Sequence, residues 1–217
     1  MTRVICVGLL LLALGLSNCT GPGQHHLTPL REAAAQVDEG MAQVGAWNVD
    51  TLTAIRARVD ERVRDLTWLM ADSTLTFSVE DGQLIGDWAR VKRHLKDAPQ
   101  RIRALNEQGA LCNTQLANLI GAIRKGAEVD ANGVAMDEVY FQRQAQNELN
   151  AVAKWLAYVA DTRRLIDAGM VLEAATRAPM DSLLQAKRAE WAQQIAVERL
   201  PGPQHCVVSL ALGFWWG

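Results

Sequence analysis

The chain has 217 residues, with 22 Lys or Arg against 24 Asp or Glu and a formal charge of −2. Its charges are interspersed with no basic block, which argues against a nucleic-acid partner and for solvated helical faces. The length suffices to bury a sizeable core as one domain, and abundant Ala, Leu, Gln, Arg and Glu beside 3 Phe and 2 Tyr favour helices.

At the N-terminus, Arg3 is the sole charge before an apolar run at residues 4–16, and the run closes on Leu16-Ser17-Asn18-Cys19. A spanning helix needs roughly 20 apolar residues, so this shorter run reads as a secretory signal. A retained membrane anchor is one alternative, and an ordinary signal, in which Cys19 is only a cysteine, is the other. Its peptidase prefers an A-x-A-like triplet, and none stands between Leu16 and Pro22. The four closing residues resemble the lipobox of bacterial lipoproteins through Leu16, Ser17 and Cys19, with Asn18 where Gly or Ala is more usual. The resemblance covers residues 1–19 only. It implies cleavage before Cys19 and lipidation of the Cys19 thiol by a diacylglyceryl group, with an N-terminal acyl chain of the palmitate class. Thr20, in place of Asp, resembles the sorting pattern for the outer membrane facing the periplasm.

Residues 19–27 follow as a lipidated tether rich in Gly, Pro and polar side chains. Thr28-Pro29 resembles an N-cap and first helical position. Leu30, Ala33, Ala34, Val37, Met41 and Val44 then share one face of a first helix, which residues 45–50 break or kink. Leu52, Ile55, Val59, Val63, Leu66 and Met70 form the cleanest amphipathic stripe, spaced as in a bundle seam. Residues 73–79 alternate like a strand but have nothing to pair with, so an extended connector is expected there. Ser78 and Asp81 fit a capping box for the next helix, whose apolar face holds Leu84, Ile85, Trp88, Val91 and Leu95.

Pro99 marks a kink or restart. Ile102, Leu105, Leu111, Leu116, Leu119, Ile120 and Ile123 carry the pattern on, weakened at Gly109, to a turn at residues 126–133. A long helix is expected next, with Met136, Val139, Tyr140, Leu149, Val152, Leu156, Val159, Ile166 and Met170 inward. Pro179 should punctuate it and Asp181 cap a last helix through Leu183, Leu184, Trp191 and Ile195. The segments share no repeated motif. Residues 205–217 are apolar and nearly uncharged, ending Phe214-Trp215-Trp216. Three readings compete for this tail: packing on the bundle, residence at the membrane interface, and a shifted reading frame.

Little in the pattern points to chemistry. His94 follows Val91 at the spacing where a di-iron bundle needs Glu, and no H-E-x-x-H or C-x-x-C occurs. His25 and His26 alone are weak ligands in a tether, so no metal or other cofactor is expected. No G-x-S-x-G is present, and the carboxylates alternate with Arg, so no catalytic residue is assigned and the chain reads as a non-enzyme. With Cys6 in the signal and Cys19 as the anchor, Cys112 and Cys206 remain a candidate disulfide in an oxidising compartment, with two unpaired thiols as the alternative.

The tryptophans Trp47, Trp68, Trp88, Trp155 and Trp191 suit either core packing or an aromatic groove. The expectation is thus an all-α fold, an elongated antiparallel bundle of about four to six helices. Residues 1–18 are the signal, 19–27 the tether, 28–200 the bundle and 201–217 the tail. The expected role is a membrane-anchored envelope lipoprotein that binds an envelope protein partner or acts as a spacer. Its rival is a carrier of a lipid or other apolar small molecule.

Overall fold

A computed structural model of the protein describes residues 21–198. Among them the fold is all-α: a 3-10 turn at Gln24–His26, then α1 (Leu27–Gly45), α2 (Val49–Met70), α3 (Val79–Leu95), α4 (Ala98–Lys125) and α5 (Glu138–Glu198). The chain divides into two compact units, crossing between them after residues 53, 96 and 166. None of the described helices is long and apolar enough to cross a membrane.

The first unit packs α1, α4 and the first part of α5. Gln24 meets Ile123, and Asp38 meets Asn113 further along, so α1 and α4 run antiparallel. Leu105 meets Trp155 and Arg101 meets Asp161, which sets α5 antiparallel to α4 in turn. Buried positions on α4 fall at 98, 102, 105, 109, 112, 116, 119 and 123, alternating steps of four and three. That is the spacing that keeps one seam of a helix facing its partners.

Trp155 occupies the centre of this unit, 3% exposed, with its indole N–H donated to the Leu105 carbonyl at 3.0 Å. Two glycines make room for it. A Cβ on Gly40 of α1 would lie 2.6 Å from ring carbons of Trp155, and one on Gly109 of α4 would lie 2.8 Å from another. The apparent weakness of the α4 pattern at Gly109 is therefore a fitted position in the core.

The second unit packs the rest of α2, α3 and the remainder of α5. Trp88 and Lys92 of α3 meet Val59 and Asp60 of α2, while Leu95 fills the space over Gly169 of α5. Down α2 and α5 the ion pairs Arg58–Glu173, Arg62–Asp181 and Asp65–Arg188 keep register between two parallel segments.

Several boundaries follow from local chemistry. Asn48 accepts the Thr51 amide at the start of α2, and the Ser78–Asp81 capping box opens α3 with both of its hydrogen bonds. Pro99 sits in the first turn of α4, where its missing N–H costs nothing. Gly126, in the left-handed region at φ 61°, closes that helix. Residues 73–78 form the expected connector.

Elsewhere the structure differs from the pattern. α1 begins at Leu27, before Thr28, because the 3-10 turn runs straight into it. Pro179 lies inside α5, which continues to Glu198; Asp181 pairs with Arg62 in place of capping a new helix. Buried residues Ile166, Gly169, Glu173, Thr176, Met180 and Leu183 keep the three-four spacing on both sides of Pro179. Packing along that seam offsets the lost hydrogen bond. Met70, Leu111, Val139 and Met170, expected inward, are exposed, and Phe141 takes the core position beside Val139.

Candidate functional site

The chain enters its fold through residues 21–26, and this entry is where three potential ligand side chains meet. Gly23 has φ 77° and lies beneath Phe141, where a Cβ would come 2.8 Å from the ring. Its amide donates to Glu138 Oε2 at 2.8 Å, and the Gln24 side chain donates to the Ile123 carbonyl at 3.1 Å. Of the residues expected as tether, Gly23 and Gln24 are thus held against the ends of α4 and α5.

The 3-10 turn then presents two imidazoles to the other oxygen of the same carboxylate. His25 Nε2 lies 3.4 Å from Glu138 Oε1, and His26 Nε2 lies 3.5 Å from it. The rings are 3.9 Å apart and tilted by 43°. One ligand atom from each of His25, His26 and Glu138 lies within 4.8 Å of the others. His26 Nε2 is sealed from solvent without a hydrogen-bond partner. The adjacent histidines were visible in sequence; Glu138, 112 positions beyond His26, carried no local signal.

Cys19 and Cys206 lie outside the described residues. Cys112 is buried on α4, and burial, with the nearby Glu148 carboxylate, pushes its thiol above the ordinary range. Such a thiol is a poor nucleophile at neutral pH.

The tryptophans divide by role. Trp88 and Trp155 are core side chains. In the second unit Trp68 is 53% exposed and meets Trp191 edge-on, with ring centres 4.7 Å apart. Trp191 is fixed in turn by donating to Asp72 Oδ2 at 3.1 Å. Thr74, through its hydroxyl and then its amide, holds the Asp72 carboxyl below the usual carboxylate range, and Trp191 adds to this. Val63, Thr67 and Ala71 lie along the open groove beside Trp68.

Glu173 is the most deeply buried carboxylate among the described residues. Arg58 approaches its Oε1 at 3.1 Å, and Arg177 grips both oxygens at 2.9 and 2.6 Å. Burial pushes this carboxyl up, but the hydrogen bonds from Arg177 and Arg58 outweigh it and leave the group below its ordinary value. The pair of guanidiniums leaves no open oxygen for substrate chemistry, so Glu173 acts as a structural link between α2 and α5.

A cleft of about 390 Å³ lies in the first unit between α4, the residue 126–137 turn and the start of α5. Leu119, Val129, Met136 and Tyr140 give it apolar walls, with Asp130 and Glu148 among its polar groups. Burial raises the Glu148 carboxyl above its usual range. No family model, curated protein or solved structure matches the chain.

Proposed function

We propose that the protein is a lipoprotein of the bacterial cell envelope, anchored through Cys19 in the outer membrane and facing the periplasm. Its helices then serve as a non-catalytic interaction or spacer module. The observation that carries this is Leu16-Ser17-Asn18-Cys19 closing an apolar run too short to span a bilayer. Several acyl chains on Cys19, at about 0.8 kcal/mol per buried CH₂, give stable anchoring where one chain is marginal.

The grip on Gly23 leaves only a few residue steps between Cys19 and the first unit. At no more than about 3.6 Å per residue, these hold the start of the first unit within roughly 15 Å of the anchor. Globomycin treatment or Cys19→Ala should leave unprocessed precursor and shift the protein's membrane fractionation. Unchanged processing and fractionation under both contradicts the anchor.

Trp68 supports the interaction role over a bare spacer. A large aromatic more than half exposed beside a groove is the kind of side chain that anchors protein contacts. Crosslinking in intact cells should trap a reproducible envelope protein, with the adduct lost in Trp68→Ala. A solitary monomer in both forms leaves only the spacer role.

The carrier alternative draws support from the 390 Å³ cleft, whose size falls within the range of small-molecule sites. It predicts apolar ligands in an organic extract of protein purified from native membranes. A clean extract counts against it.

A further inference from the structure

We propose that His25, His26 and Glu138 form a binding site for one divalent transition-metal ion of the zinc class, which clasps the chain's entry segment to the start of α5. Two imidazoles and a carboxylate are a ligand set that zinc takes in open, four-coordinate sites, with water in the remaining position. With bonds of about 2.0–2.2 Å, the edges of such a tetrahedron measure about 3.4 Å. The two His-to-Glu separations, 3.4 and 3.5 Å, match those edges before any ion is added. His25 is the adjustable member: its side chain is 66% exposed and can swing to complete the third edge.

A second, independent observation points to an ion. His26 Nε2 is buried from solvent, faces Glu138 Oε1, and makes no hydrogen bond. A buried polar atom without a partner carries a desolvation cost. A metal ion between that nitrogen and the carboxylate satisfies both at once.

The surroundings hold the set in place. Glu138 Oε2 is occupied by the Gly23 amide, which leaves Oε1 directed at the imidazoles. This is the outer-shell orientation that metal-bound carboxylates commonly have. Gly23 itself is fixed by its left-handed backbone and by Phe141 above it, so the turn carrying both histidines is set before binding. The site stands whether or not Cys19 is lipidated, because none of its parts belongs to the lipobox.

The test uses the full chain, without a histidine tag, stripped of metal by chelator. Titration with Zn²⁺ against a competing indicator should show one saturable site per chain and a rise in the thermal midpoint. His26→Ala and Glu138→Gln should each weaken that site by more than about tenfold, since even outer-shell changes cost 10- to 100-fold. Glu138→Gln retains an oxygen to accept the Gly23 amide, so its fold is kept; circular dichroism checks this. His94→Ala should bind as the unaltered chain does. Absence of saturable Zn²⁺ binding overturns the proposal, and so does binding that His26→Ala and Glu138→Gln leave unchanged.

Discussion

Gly40 and Trp155 illustrate how little of a core position can be visible one residue at a time. A glycine inside a helix ordinarily costs about 0.5–1 kcal/mol relative to alanine. Here an alanine Cβ at position 40 would lie 2.6 Å from the indole. Gly40→Ala should therefore destabilise the protein by about 1–3 kcal/mol in a denaturant titration, the usual cost of overpacking. In a Trp155→Ala background the same change should cost much less, because the two positions are in contact. Equal costs in both backgrounds would separate Gly40 from the indole.

Glu173 makes a prediction about the pH dependence of stability. Its folded-state carboxyl lies below the ordinary value, so the stability it adds is present above the unfolded-state titration near 4.5 and is lost as pH falls through the folded one. Glu173→Gln should destabilise the protein at neutral pH and flatten the acid limb of its stability curve. The loss should stay below the about 3–5 kcal/mol of a fully buried pair, because Arg58 and Arg177 remain partly exposed. An acid limb identical to that of the unaltered chain contradicts the assignment. Neither Glu173 nor its seam neighbours Gly169, Thr176 and Met180 stood out in the sequence, and a carboxylate at a seam position is understood only once two arginines are found beside it.

At the scale of elements, caps and breaks were the most legible features because each is decided within a few residues. Ser78 with Asp81, Pro99 and Gly126 act locally, and the structure uses all three at helix ends. Pro179 is the contrary case. Its local signal says stop, yet the seam of buried side chains runs through it unbroken. Tertiary burial decides the matter, and no local rule contains it. Val139 and Phe141 show the same limit: both are apolar, and only the packing at the start of α5 selects Phe141.

A proline in a helix interior costs about 3 kcal/mol relative to alanine, and its constraint on the unfolded chain returns about 0.4–1 kcal/mol. Exposed Pro179 should therefore be replaceable. Pro179→Ala should raise stability by about 1–3 kcal/mol in urea. A destabilised variant would mean that the seam depends on a bend at this position.

The chain as a whole is an all-α protein whose five helices among the described residues form two units. The helical class was legible from periodicity. The division was not, since α2 and α5 each contribute to both units and no linker composition marks the crossings. The entry segment shows the same separation between local and distant signals. Its glycines, proline and paired histidines resemble a loose tether, and the features that hold it down, Phe141 and Glu138, stand more than a hundred residues away.

The proposed anchor rests on a short motif, of a kind that an export pathway reads without tertiary context. It is also the part on which the proposed role depends most. Its most direct test is mass spectrometry of the mature N-terminal peptide from protein extracted from native membranes. The proposed lipoprotein predicts a peptide beginning at Cys19 and carrying diacylglyceryl and N-acyl groups. A peptide beginning elsewhere, or an unmodified Cys19, would contradict it.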